Sequence, residues 1–80
     1  MERENIFGER VLRLRKDKGP TQKELGEQVG LSYKAISTIE SGARGTSVDK
    51  LIGLAVYFRV STDYLLGITD DATWRGSPEE

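Results

Sequence analysis

GPTQKELGEQVGLSYKAISTIESG, residues 19–42, reads as two short helices joined by a tight turn. Pro20 ends whatever precedes it. The run TQKE then forms a capping box, in which the Thr21 hydroxyl accepts from the Glu24 amide and the Glu24 carboxylate reaches back to the Thr21 amide. The helix it opens runs to about Gln28, with Leu25 and Val29 inward. Gly30 breaks it and Leu31 supplies an apolar plug. Ser32 caps the next helix, and Gly42 closes it in the left-handed conformation that glycine adopts freely.

Two helices joined by a three- or four-residue turn containing glycine form the helix-turn-helix pattern. At 3.6 residues per turn, Tyr33, Lys34, Ser37, Thr38 and Ser41 fall within an arc of ~140°. Ala35, Ile36 and Ile39 fall opposite. One face is therefore buried, and the other carries short hydrogen-bonding groups, one tyrosine and one lysine. A solvated face is the commoner fate of a helix's polar side, but such faces are usually rich in Glu and Lys. Gly26 lies where the two helices are expected to cross. A glycine inside a helix costs ~1 kcal/mol relative to alanine, a cost that close backbone approach would justify.

Outward from this core the chain stays helical. NIFGERVLRLRKDKG sets Phe7, Val11 and Leu14 on one face and ends in Lys16, Lys18 and Gly19, with Gly8 weakening its first turn. ARGTS reads as a loop. Ser47 or Thr46 caps a fourth helix, VDKLIGLAVYF, and Ser61 caps a fifth, TDYLL, with Asp63 in its first turn and Gly67 at its end. ITDDATWRGSPEE shows no periodicity. These signals predict an all-α, five-helix domain over residues 1–67, followed by a flexible acidic tail or linker stub over 68–80.

The 80 residues suit one small domain. Cysteine and histidine are both absent, which removes disulfides, thiolate catalysis, the usual general base and the commonest metal ligands. No spacing of carboxylates, tyrosines and lysines assembles a catalytic site, so neither an enzyme nor a metal or cofactor is expected. No apolar run approaches the ~20 residues that span a bilayer, and the charged start MERENIFGER lacks a signal-peptide core. A cytoplasmic protein without membrane association is the expectation. The formal net charge is −1 but unevenly spread. Residues 1–60 hold 11 Lys/Arg against 8 Asp/Glu, a net +3, whereas residues 61–80 hold one Arg against 5 Asp/Glu, a net −4. A mildly basic body permits an anionic partner. Arg10, Arg13, Lys16, Lys18 and Lys23 are expected on solvated faces, with one or two of them reaching phosphates.

From Val11 to Leu66 the chain resembles the Cro/repressor-like (XRE-type) helix-turn-helix family of phage and bacterial regulators. The resemblance is carried by LRLRKDKGPTQKELGEQVGLSYKAISTIESG, by LIGLA and by VSTDYLLG. It implies a lambda repressor-like fold and sequence-specific binding of double-stranded DNA as a transcriptional regulator, with repression as the expected output. It also implies roles residue by residue. Tyr33, Lys34 and Thr38 match positions that enter the major groove, with Ser37 between them. Thr21 and Gln22 open a helix whose Gln contacts the DNA backbone in the family, and Ser41 and Arg44 match phosphate-binding positions. The Ser32 cap joins the expected phosphate contacts. Arg15 and Glu40 match an ion pair that ties the first helix to the end of the third.

Elementary chemistry agrees with several of these roles. A helix fits the major groove, where each base pair shows a distinct donor and acceptor pattern. Lys34 suits guanine O6 and N7, and the Thr38 methyl suits a thymine methyl. The groove-facing positions lack Gln, Asn and Arg, the strongest bidentate readers of bases, which shifts weight toward DNA shape. Arg59 stands where the family often has Gly or Asn and would be slightly strained if left-handed.

The fourth helix is apolar almost all round, which calls for cover on both sides. Val56 stands where the family often has a charge. The expectation is a homodimer on a two-fold symmetric operator, joined through Ile52, Val56, Tyr57 and Trp74; the competing reading packs Val56 and Tyr57 under the fifth helix. The alternative in function is a protein-interaction module, such as an antitoxin or adaptor, on the same fold.

Overall fold

The computed structural model describes residues 5–74, and within them every regular element is a helix. In chain order these are α1 (Ile6–Lys18), α2 (Gln22–Val29), α3 (Tyr33–Ser41), α4 (Val48–Phe58) and α5 (Thr62–Leu66). The all-α, five-helix expectation therefore holds, and each boundary traces to a cap. The Thr21–Glu24 capping box is complete, Ser32 and Ser61 accept amides of the first turns of α3 and α5, and Ser47 rather than Thr46 caps α4.

Val11, Leu25, Ile36, Leu54 and Leu65 are fully buried, one from each helix, and Ile39, Ala55 and Val60 complete the core. At ~1.5–3 kcal/mol for each large aliphatic side chain removed from water, these positions dominate the stabilisation. Helix α3 lies against both α1 and α2, so its position is set from two sides.

Two glycines make this packing possible. A Cβ on Gly8 would collide with the carbonyl oxygen of Ile39, so the residue expected only to weaken α1 is the point where α1 meets α3. A Cβ on Gly26 would collide with the carbonyl oxygen of Leu31. The close approach expected there is real, but the interhelical turn makes it, not the body of α3. That turn is pinned by the Leu31 amide, which donates to the Gly26 carbonyl at 2.8 Å.

Arg59 ends α4 with φ 57°, the left-handed strain expected there. Beyond α5 the structure departs from the expected flexible tail. Ala72 packs against the core. Arg10 reaches across from α1 and donates through Nη1 to the carbonyls of Tyr64 (2.6 Å) and Thr69 (2.7 Å), and through Nη2 to Asp70 (2.7 Å). Its guanidinium also lies 4.1 Å from the centre of the Tyr64 ring. Residues 68–74 thus form a strap on the body, and Arg10 faces that strap where a solvated or phosphate-reaching side chain was expected. The rest of the expected tail, residues 75–80, lies outside the described residues.

Candidate nucleic-acid interface

The backbone of α3 arranges its outward face. Ser32 accepts the Ala35 amide at 3.1 Å, leaving its hydroxyl proton available at the helix start. Tyr33 is 57% exposed, and Lys34 and Ser41 are also exposed. Ser37 and Thr38 are half-buried along the same face. The Thr38 hydroxyl donates to the Ala35 carbonyl at 2.9 Å, so it offers the face its methyl group and an acceptor lone pair. The Ser41 hydroxyl donates to the Thr38 carbonyl at 3.1 Å. At the C-terminal end the Ala43 and Arg44 amides fold back onto the same carbonyl, which places exposed Arg44 directly beyond α3. Among the described residues neither Lys34 nor Arg44 has an ion-pair partner, so both charges are free for an external anion.

Thr21 and Gln22 open α2. The Thr21 oxygen accepts the Glu24 amide at 3.0 Å, which again leaves its own proton free. Gln22 is half-buried, and its side chain belongs to a network that the sequence reading did not foresee: Gln22 Nε2 donates to Glu40 Oε1 at 3.0 Å. Arg15 grips the same carboxylate from the other side, with Nε donating to Oε2 at 2.6 Å and Nη2 to Oε1 at 3.0 Å. The expected ion pair is therefore bidentate and largely buried, with side-chain exposures of 13% for Arg15 and 5% for Glu40. The hydrogen bonds it donates to Glu40 raise the Arg15 guanidinium above its already high value, against the opposing effect of burial.

Asn5 adds a link that the sequence signalled without its being read. One residue before Ile6, it is the N-cap of α1. Its Oδ1 accepts the Gly8 amide, and its Nδ2 donates to the Glu40 carbonyl at 3.1 Å. The start of α1 is thus tied to the end of α3.

The four residues expected at a subunit contact do not stay together. Ile52 and Val56 are 50% and 52% exposed. With Trp74 they line a groove of about 380 Å³ that also touches Val60 and Thr69. Tyr57 instead turns toward α1, with its ring 5.1 Å from Phe58 and 5.1 Å from Lys18 Nζ.

No helix among the described residues is long and apolar enough to cross a membrane. Nor do the described residues hold a cluster of His, Cys, Asp or Glu that suits a metal ion.

Residues 11–65 match the family model described as helix-turn-helix. The chain is 35% identical over 66 residues to the uncharacterized HTH-type transcriptional regulator YobD of Bacillus subtilis, an alignment covering 82% of this chain and 59% of that one. It is 35% identical over 71 residues to the uncharacterized HTH-type transcriptional regulator y4dJ of Sinorhizobium fredii, covering 89% and 92% of the two chains. Among solved structures it resembles the P22 c2 repressor protein in complex with a synthetic operator, with a TM-score of 0.73 at 35% identity and coverage of 75% and 91%.

Proposed function

Because the chain belongs to the helix-turn-helix family, we propose that it is a sequence-specific, double-stranded DNA-binding transcriptional regulator whose α3 lies in the major groove. The observation that carries this reading is the outward face of α3. It is exposed or half-buried and carries one free cation, Lys34, with a second, Arg44, directly beyond its end. Tyr33, Lys34, Ser37 and Thr38 face base edges. Thr21, Gln22, Ser32, Ser41 and Arg44 surround them as phosphate contacts, in the usual division between reading and positioning.

Repression is the output we favour, in keeping with the repressor–operator complex among the similar structures. A regulator of this kind acts in the cytoplasm. The active unit is a homodimer, with the exposed Ile52 and Val56 and the adjoining Trp74 covered by a second copy. Half-sites then lie about one helical turn apart, ~34 Å.

Selection from a random duplex pool tests the reading. The expected result is enrichment of a two-fold symmetric site. Recovery of a pool with no preferred sequence would overturn it.

A further inference from the structure

The buried carboxylate of Glu40 is bound to more than its ion-pair partner. Its two oxygens accept from Arg15 Nε, Arg15 Nη2 and Gln22 Nε2, while its backbone carbonyl accepts from Asn5. An ionised carboxylate only accepts hydrogen bonds. The carboxamide of Gln22 must therefore face it with nitrogen, because the flipped rotamer would set oxygen against oxygen. One N–H of that nitrogen is used on Glu40. The second, in the amide plane and about 120° away from the first, has no partner among the described residues. Gln22 is the first residue of α2, next to Thr21, whose hydroxyl proton is also free.

We propose that Glu40, neutralised by Arg15, is a positioning residue for DNA: it fixes the Gln22 carboxamide so that its free N–H meets a backbone phosphate. This deepens the DNA-binding reading and rests on it. Left to itself, a glutamine amide presents oxygen or nitrogen with little preference, and the oxygen would repel a phosphate. Glu40 removes that choice before DNA arrives, so less orientational freedom is lost on binding. Arg15 is needed because an unpaired carboxylate beside the same amide would repel the phosphate it positions. A pair suited to holding α1 against α3 thereby also serves the contact surface of α2.

The test is a double-mutant cycle on binding to a duplex recovered by random-pool selection. Its variants are Gln22→Ala, Glu40→Gln and the two combined. Glu40→Gln nearly preserves shape but removes the acceptor-only group. Alone it should weaken binding about three- to tenfold, the scale of one hydrogen bond. The slope of log affinity against log salt should not fall, because a neutral amide displaces no counterion from the phosphate. In the Gln22→Ala background it should change neither quantity appreciably. An equal loss in both backgrounds would overturn the proposal and leave Glu40 purely structural. Unaltered affinity in Gln22→Ala would remove the phosphate contact itself; sequence selectivity at Lys34 would then still test DNA binding separately.

If Glu40→Gln fails to fold, the unmodified protein answers through the side-chain amide resonances of Gln22. Its two Nε2 protons should shift and exchange more slowly on titration with the selected duplex. Resonances that stay unmoved would overturn the proposal.

Discussion

Lys34 is the single cation on the outward face of α3, exposed and without an ion-pair partner among the described residues. Truncation at Lys34→Ala should weaken binding to a selected site by ~1–3 kcal/mol and relax the preferred sequence. Competition titrations against scrambled duplex check this, and a loss shared equally by all DNA would contradict base readout. Arg15 makes a different kind of prediction. Arg15→Ala leaves the Glu40 carboxylate buried without its counter-charge and should cost ~3–5 kcal/mol of unfolding free energy. Replacing both partners by apolar residues of similar volume should cost much less. Urea denaturation of the three proteins separates the cases, and equal losses would argue against a desolvated pair.

At the level of elements, five side-chain caps start the five helices: Asn5, Thr21, Ser32, Ser47 and Ser61. A cap is worth ~1 kcal/mol and is decided within four residues of chain. That locality is why the helices were legible in the sequence, as was the turn closed by Gly30. The candidate site was legible as a set of positions on one helix face, because period and caps place Tyr33 through Ser41 without any tertiary information. Partners set by how helices cross were not legible. Gln22 and Glu40 are 18 residues apart and meet only because α2 and α3 pack as they do. The fourth helix is apolar on several sides, so its sequence does not separate Tyr57 from Val56, and only the packing shows which side each residue takes. Arg59 tests the local rules directly. Its left-handed φ of 57° strains a residue with a Cβ, so Arg59→Gly should raise stability by about 1 kcal/mol. A lower melting temperature would show that the Arg59 side chain, whose guanidinium lies 6.0 Å from the Trp74 ring, outweighs the strain.

On the scale of the whole molecule, the exposed Ile52 and Val56 beside a Trp74-walled groove favour self-association. Sedimentation at micromolar concentration should find a dimer, and Val56→Glu should shift it to monomer while leaving helix content unchanged. A natural chain that sediments as a monomer under those conditions would remove the two-fold arrangement from the proposed function.

Arg10 has a consequence for the order in which the molecule comes apart. It joins α1 to positions 54, 59 and 60 residues further along the chain, through a partly buried guanidinium. Since α1 and α5 already meet in the core, only its bonds to Thr69 and Asp70 hold the strap itself, and few groups tie that strap to the body. The strap is thus the natural first foldon to open, below the threshold for global unfolding. In native-state hydrogen exchange the Ile68 amide, bonded to the Asp63 carbonyl, should exchange well ahead of Leu25 and Ile36. Each such opening would strip one wall from the groove beside Val56 and leave α3 undisturbed, so that loss of the proposed partner surface and loss of the proposed reading surface are thermally separable events.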